Sequence, residues 1–491
     1  MKYYWLSLLS ALLVYTSFPP INLWGIIFFA FLPFLFGLQK LKSLCSHLLY
    51  FMLFGLLYMG LMHIWLLELQ DYSTVFSIVV LVIVYSLFLA IYYALIGFLY
   101  FISGKSLWIL PFCWIVGEWL RSQTIIGNST GTLGYSQAYN PTLLQWASIG
   151  GVFGISIIIF SLNIMLFKIF RQQKINDIIR YILIIIILLG TNQFLLKKPI
   201  NTTETQLVSI IQGNHPQQIK LNKQYWNNIT QTYLSLTKYA LQNSPNQIII
   251  WPETITPALN LYNKNLLNQI NDLSTKYNST IIFGTPTKLN KNYFNSLCVM
   301  TPSGLSSYIY HKKRLMPFGE YWPGKSLFQW FGAGQLIPGN EYSPGTSNQQ
   351  PLIVNDLILG PGICLESIYP WFYRSMKHQN SHVMLLLANN AWFNDSSGAE
   401  KHFQMGILRA VEMKSYFLQA SNTGISAIIS SKGVPLQQTK LNQQAIITDN
   451  IYKITSKSIY YYIGDFIVYF GLFIIILRLL FSLFKGLYLR K

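Results

Sequence analysis

The chain has 491 residues, 52% of them hydrophobic and only 10% charged, with 35 Lys and Arg against 16 Asp and Glu for a formal charge of +19. Ordinary soluble proteins carry roughly 25% charged residues, so this composition excludes a simple soluble globule and places much of the chain in lipid. The cysteines at 45, 113, 298 and 364 are too scattered for a disulfide scaffold, and no CxxC or CxxxH spacing offers a zinc site, so no metal and no cofactor is expected.

Crossing a bilayer takes about 20 apolar residues. Such runs recur near 4–20, 22–38, 46–67, 73–103, 107–120, 146–167 and 180–196. The first follows Lys2 as a signal peptide would. It has no small-residue cleavage site and runs through Phe18-Pro19-Pro20 straight into the next apolar stretch, so it is expected to be an uncleaved anchor. After Leu196 the apolar stretches shorten to strand length, and a spanning run returns only at 465–484. The expected organisation is a seven-span region (1–196), a soluble block of 262 residues (197–458) and a closing span with a tail (459–491).

Eight spans put both termini on one side, and Lys and Arg choose which. With the N-terminus in the cytoplasm, the short inside segments hold Lys2, Lys40, Lys42, Lys105, Lys168, Arg171, Lys174, Arg180, Lys485, Arg490 and Lys491, while the short outside loops hold only Arg121 among the basic residues. The soluble block is therefore expected to be exported, facing a periplasm or its equivalent. It carries 22 basic and 11 acidic residues, a net +11 suited to anionic lipid head groups, and that setting argues against nucleic acid as a partner.

Within the block, β-like runs lie at 206–213, 247–253, 280–286, 296–300, 306–313, 357–364 and 383–390, with helix-like stretches at 222–242, 261–276 and 400–415. This alternation predicts a layered α/β domain, and no nucleotide-binding glycine pattern or GxSxG elbow interrupts it. Three of the predicted strand ends carry reactive groups: Glu253 after IIIWP, Lys312 after SSYIYH and Cys364 after LILGPGI. Each has a plain alternative. Cys364 can be buried filler or a disulfide partner of Cys298, Lys312 can belong to a solvated Lys312-Lys313-Arg314 cluster, and Glu253 can cap a helix. Together they can build a nucleophilic site in which Glu253 takes the thiol proton and Lys312 stabilises the developing oxyanion. Glu320 and Glu366 are close in sequence, and Glu366 would share a strand face with Cys364 if that strand continued.

WPE at 251–253, YHKKRLMPFGEYWP at 310–323, GICLES at 362–367 and NNAWFNDSSGAEKHFQMGILRAVE at 389–412 resemble the motifs of the apolipoprotein N-acyltransferase family, a membrane branch of the carbon-nitrogen hydrolase (nitrilase) superfamily. FPP at 18–20, GEWLR at 117–121 and GYSQ at 134–137 resemble that family's membrane segments, so the likeness spans essentially the whole chain. It implies a polytopic α-helical membrane protein of eight spans in a bacterial inner membrane, with an exported α-β-β-α sandwich. It also implies Glu253 as general base, Lys312 as catalytic lysine and Cys364 as nucleophile, supported by Glu320, Glu366 and Asn295. Lys312 is preferred to Lys313 because it stands eight residues before Glu320. Two positions depart from the family pattern: Ile219-Lys220-Leu221, where relatives often carry a Trp, and Leu365, where a Tyr is common.

The implied reaction is a ping-pong transfer through a cysteine thioester, from a phospholipid such as phosphatidylethanolamine to the α-amine of a diacylated apolipoprotein, by a monomer. Hydrolysis of a small exported substrate by a membrane-tethered amidase is the alternative. Aromatic residues Phe318, Tyr321, Trp392 and Phe393, with a further stretch at 328–331, are candidates for gating acyl-chain access or for plain packing on the bilayer. Glu118 and Arg121, three apart in one predicted span, are expected to pair and orient the loop that follows.

Overall fold

The computed structural model describes residues 2–71, 74–124, 126–200, 202–317, 319–322 and 341–488, with side chains through 481. It divides into two compact units, Met1–Pro199 with Lys457–Lys491, and Ile200–Ser456.

The first unit is helical. Four helical stretches among the described residues are long and apolar enough to cross a membrane: Leu44–Met62, Val75–Ile102, Leu144–Gln172 and Ile175–Lys197. Of the other expected spans, three form shorter helices. The first run is helical only over Trp5–Tyr15 and stops ahead of Pro19-Pro20. The second breaks into a 3-10 turn, Trp24–Phe28, and a helix, Leu32–Leu38, with Pro33 in its first turn. The fifth is the 14-residue helix Leu110–Gln123, begun by Pro111, and the last is Phe466–Tyr488. Hydropathy reports a preference for lipid, whereas helix length also depends on where proline removes a backbone donor.

A broken segment in lipid must find partners for its freed backbone groups inside the protein. Asn163 supplies them: its Oδ1 accepts from the Phe31 amide at 3.0 Å and its Nδ2 donates to the Ile27 carbonyl at 2.9 Å. Around Trp114, which is fully buried, the rings of Phe160, Phe31, Phe54 and Tyr93 lie with centroids 4.8, 4.9, 5.4 and 5.5 Å away. Gly55 lets the third and fourth spans approach, since a Cβ there would sit 2.6 Å from the Tyr93 ring.

The expected ion pair of Glu118 and Arg121 does not form. Glu118 Oε1 instead accepts from Trp114 Nε1 at 3.1 Å and from the Leu133 amide at 2.9 Å. Arg121 donates to the Thr130 carbonyl and, at 3.3 Å, to Thr132 Oγ1. Both therefore anchor the loop after their helix, each through its own bonds, because the loop offers unpaired backbone groups that compete better than a second buried charge.

Among the described residues the second unit holds two six-stranded sheets. In the first, β1 (Thr202–Gln212), β2 (Ile248–Ile250) and β3 (Thr280–Leu289) are parallel neighbours, extended antiparallel through β4 (Asn292–Thr301) and β5 (Gly304–His311). In the second, β6 (Leu352–Val354) pairs antiparallel with β7 (Leu357–Ile363), and β7, β8 (Val383–Ala388) and β9 (Tyr416–Ser421) run parallel. Two antiparallel strands, β10 (Ala427–Ile429) and β11 (Pro435–Gln438), complete the second sheet, and β12 (Ala445–Ile454) returns to flank β1. Parallel strands need crossovers, and helices supply them. Trp226–Asn243 and Lys264–Lys276 bury Ile229, Tyr233, Leu241, Leu266 and Ile270 against Ile249, Trp251, Ile281 and Phe283 of the first sheet. On the second sheet, Pro370–His378 sets Tyr373 Oη on the Leu385 carbonyl at 3.0 Å, and the helix Gly398–Met413 lies on β9, where Gly406 keeps clear of Phe417 and Gln419. The result is a layered α/β domain with helices packed on both sheets.

Candidate active site

Glu253 leaves the end of β2 through Trp251-Pro252. This segment lies against Gly284 of β3, where a Cβ would come within 2.6 Å of the Pro252 carbonyl and 2.7 Å of Glu253 Cα. The contact is closed by bonds from the Gly284 amide to the Pro252 oxygen, 3.2 Å, and from the Ile255 amide to the Gly284 oxygen, 3.1 Å. Only glycine fits there, so β3 itself sets the height of the carboxylate.

Lys312 follows β5, and its amide bonds to the Asn295 carbonyl on β4 at 2.8 Å. Its side chain is 2% exposed and its Nζ lies 3.1 Å from Glu253 Oε1 and 2.9 Å from Glu320 Oε2. Asn295 Nδ2 donates to the same two carboxylates, 2.7 Å to Glu253 Oε1 and 2.6 Å to Glu320 Oε1. Glu320 is in turn fixed by the Met316 amide, 2.7 Å from Oε2. Burial alone would strip Lys312 of its proton, but Glu253 and Glu320 outweigh it and hold the ammonium charged well beyond the usual lysine range. The neighbouring cations turn elsewhere: Lys313 Nζ bonds to the Ser347 carbonyl at 3.0 Å, and the Arg314 guanidinium lies over the rings of Tyr369 and Trp371 at 5.3 and 5.1 Å.

Both donors on Glu253 use Oε1, so among the described residues Oε2 carries no hydrogen bond. That leaves one oxygen available for a proton.

Cys364 does not continue β7. The strand ends at Ile363, and Cys364 opens a 3-10 turn, Cys364–Ile368, with φ of +49°. A left-handed backbone at a residue with a side chain is strained, and such strain gathers at functional sites. The turn also overturns the expectation that Glu366 shares a strand face with Cys364. Glu366 curls back instead, accepting from the Ile363 amide at 2.7 Å, the Lys313 amide at 2.6 Å, the Arg314 amide at 3.2 Å and the Tyr310 hydroxyl at 2.9 Å. It thereby ties the segment carrying Lys312 to the turn carrying Cys364. Burial lifts its carboxyl to about 7, against the opposing pull of those amides.

The Cys364 thiol is pushed well above its ordinary value, first by burial and then by Glu253 and Glu320, with Lys312 and the Asn389 amide acting the other way. At rest it is a neutral thiol, so attack needs a base. A disulfide with Cys298 is absent: both thiols are free, and Cys298 lies in the apolar core beneath the first sheet.

The fold thus gathers Glu253, Lys312, Cys364, Glu320 and Asn295, with Glu366 behind them. Tyr321 is half-buried and forms an isolated bridge with Pro317, and Trp392 and Phe393 sit on the 3-10 turn Asn390–Phe393 after β8. Phe318 and the 328–331 stretch lie outside the described residues. His402 was missed by sequence reading. From the helix Gly398–Met413 its Nε2 meets Ser367 Oγ at 2.7 Å and the Cys364 carbonyl at 3.1 Å, and burial lowers it to about 4, so it braces the turn as a neutral ring. Only its place in AEKHFQ, inside a motif already singled out, could have flagged it.

Two family models match the chain. Residues 10–165 match the apolipoprotein N-acyltransferase N-terminal domain, and residues 207–457 match carbon-nitrogen hydrolase, just over half of the sequence. Similar proteins include the apolipoprotein N-acyltransferase of Geobacter metallireducens, 28% identical over 94% of this chain and 92% of that one. That of Wigglesworthia glossinidia brevipalpis is 31% identical over 85% of each. With both regions matched in order and relatives aligned nearly end to end, the chain belongs to the apolipoprotein N-acyltransferase family of membrane acyltransferases, built on a carbon-nitrogen hydrolase domain.

Proposed function

We propose that the chain transfers an acyl group from a phospholipid, phosphatidylethanolamine in particular, to the N-terminal α-amine of diacylglyceryl-cysteine lipoproteins in two half-reactions. In the first, the Cys364 sulfur attacks the acyl ester carbonyl while Glu253 Oε2 takes the thiol proton and Lys312 Nζ donates to the oxyanion. Collapse breaks the ester C–O bond, the proton passes from Glu253 to the departing lysophospholipid oxygen, and a thioester remains. In the second, the lipoprotein amine attacks that thioester. Glu253 accepts a proton from the attacking nitrogen and returns it to sulfur as the C–S bond breaks, and an amide leaves.

The observation that carries this reading is the division of labour around Glu253: Lys312 and Asn295 hold Oε1, Oε2 is unbonded, and the nearby thiol is neutral. Glu320 keeps Lys312 charged even while Glu253 is protonated, so oxyanion stabilisation survives each proton transfer. In this scheme Asn295 and Glu320 orient the base and the cation, Glu366 holds their segment against the nucleophile turn, and Tyr321, Trp392 and Phe393 border the acyl-chain path.

Residues 1–196 and 459–491 form the eight-span membrane region in this reading, with both termini cytoplasmic. Residues 197–458 are the catalytic domain, on the periplasmic side of the inner membrane, and the protein works as a monomer. The basic residues of the short loops favour this orientation. The test is transfer of a labelled acyl chain from phosphatidylethanolamine to a synthetic diacylated lipopeptide. The reading predicts N-acylated lipopeptide that disappears with Cys364→Ser; release of free fatty acid without transfer would favour a hydrolase instead.

A further inference from the structure

Behind the nucleophile turn lie a buried amide and a buried imidazole. Asn390, at the start of the turn after β8, is 1% exposed. Its Oδ1 faces His402 Nδ1 at 3.4 Å, while its Nδ2 has no partner among the described residues. The side chain is closely held, since a Cβ on Gly424 would lie 2.8 Å from that Nδ2. Across the ring, His402 Nε2 lies 2.7 Å from Ser367 Oγ and 3.1 Å from the Cys364 carbonyl oxygen, and Ser367 Oγ is also 3.1 Å from that oxygen. A buried amide N–H without an acceptor is rare and costly, so these contacts call for a full account of their protons.

The neutral imidazole of His402 carries one ring proton, and the Ser367 hydroxyl carries one more. If the ring proton sits on Nδ1, it serves Asn390 Oδ1, and Nε2 is a bare lone pair facing the lone pairs of the Cys364 oxygen at 3.1 Å. The Ser367 hydrogen then satisfies only one of those two acceptors, and the Asn390 N–H stays idle. If the ring proton sits on Nε2, it is donated to the Cys364 carbonyl or to Ser367 Oγ, whose own hydrogen covers the carbonyl, and Nδ1 is left needing a donor. Exchanging the oxygen and nitrogen of the Asn390 amide supplies one, because the two atoms are nearly indistinguishable by size and only their hydrogen bonds assign them. Nδ2 then donates to Nδ1 with no heavy atom displaced. The oxygen that turns toward Gly424 is the milder loss, since carbonyls go under-satisfied more often than N–H groups.

We propose that Asn390 is a positioning residue that acts through His402: its amide donates to Nδ1, fixes the ring proton on Nε2, and so aims a donor at the carbonyl of Cys364. That carbonyl matters because Cys364 holds a left-handed backbone, with φ of +49°, which persists only where its surroundings over-determine it. A peptide group gripped from behind by His402 and Ser367 keeps the turn, and the thiol it carries, in place. The inference deepens the proposed function and rests on its reading of Cys364 as the nucleophile.

The experiment reads, by NMR of the intact, detergent-solubilised chain with isotope-labelled histidines, which ring nitrogen of His402 is protonated. The resonances of His402 are those lost in both His402→Gln and His402→Leu. A proton on Nε2 and a bare Nδ1 are expected, and a proton on Nδ1 overturns the proposal. In Asn390→Leu the ring proton should no longer be confined to Nε2, a change that a merely space-filling role would not produce. The second readout is the rate of Cys364 alkylation by iodoacetamide. Asn390→Leu should slow it about tenfold, the scale of a small misplacement of a reacting group, and should add nothing in a His402→Gln background. No loss in the parent background, or the same loss in both, overturns the proposal. Neither readout uses lipid. If the proton is on Nε2 but acyl transfer is absent, the proposed function fails alone; if transfer proceeds with the proton on Nδ1, the failure belongs to Asn390 alone.

Discussion

Both units bury charge, but they use it differently. In the membrane unit Glu118 and Arg121 spend their hydrogen bonds on one loop, and Asn163 spends its own on a broken helical segment, so polar groups there complete the backbone. In the hydrolase unit Lys312, Glu253, Glu320 and Asn295 bond mainly to one another and, among the described residues, leave Glu253 Oε2 without a hydrogen bond. Lipid removes the hydrophobic drive between helices, so association rests on packing and on polar staples. A sandwich closed by apolar sheet faces has stability to spare, and its charged cluster can be arranged for reaction. Substitutions should therefore separate the units: loss of activity without loss of fold in one, loss of fold ahead of activity in the other.

The largest effect is expected at the cluster. Glu253→Gln should lower acyl transfer by a factor on the order of 1,000 with unchanged thermal unfolding of the solubilised protein, and Lys312→Met should lower it by about 100 to 1,000. A matching fall in melting temperature would mean that the cluster holds the fold together, and the contrast would collapse. Next comes Arg121→Met, which strips the Thr130 carbonyl and Thr132 of their donor and should destabilise the membrane unit by about 3 kcal/mol, with transfer by the surviving folded protein reduced far less.

Glu366 gives a pH signature. A carboxyl lifted from 4.5 to about 7 keeps in the folded state a proton that the unfolded chain has already released, so stability falls as pH rises through that interval. Thermal melts of the parent across this range should show that decline, up to about 3 kcal/mol in all, and Glu366→Gln should flatten it. Equal slopes in both proteins would remove Glu366 as the cause. The smallest effect is expected for Asn163→Leu, about 1 kcal/mol of lost stability with activity intact, since it frees two backbone groups but keeps the volume.

Much of the hydrolase unit was legible in the sequence because its central strands are short apolar runs ending in reactive residues. β2, β7 and β8 fall inside IIIWPE, LILGPGI and VMLLLA, and β3 begins with TIIFGTP and runs on to Leu289. β9 was not legible: YFLQAS buries Gln419 and Ser421, and only the folded loop, where Gln419 Nε2 reaches the Ile425 carbonyl at 2.9 Å, makes a polar residue at home in a central strand. β12 escaped for the opposite reason, its inward Ile447 and Ile451 being diluted by Asp, Asn and Lys on an edge strand. In the membrane unit hydropathy located apolar segments but not their breaks, since the segment around Trp24–Phe28 is rescued by an asparagine more than a hundred residues away.

At the site, the sequence singled out Glu253 and Lys312, which the structure brings together, with Lys313 turned to the Ser347 carbonyl instead. The left-handed turn at Cys364, which sends Glu366 backward rather than beside the thiol, is a backbone conformation that no side-chain spacing announces. His402 is a buried polar group whose meaning comes only from what surrounds it.

The most direct test of the account is the intact mass of the purified protein after incubation with phosphatidylethanolamine in the absence of lipoprotein. An added acyl mass should map to the Cys364 peptide, be removed by hydroxylamine in one sample and by a diacylated lipopeptide in another, and fail to form in Glu253→Gln. Acylation elsewhere on the chain, or full transfer activity from a protein that never carries acyl on Cys364, would contradict it.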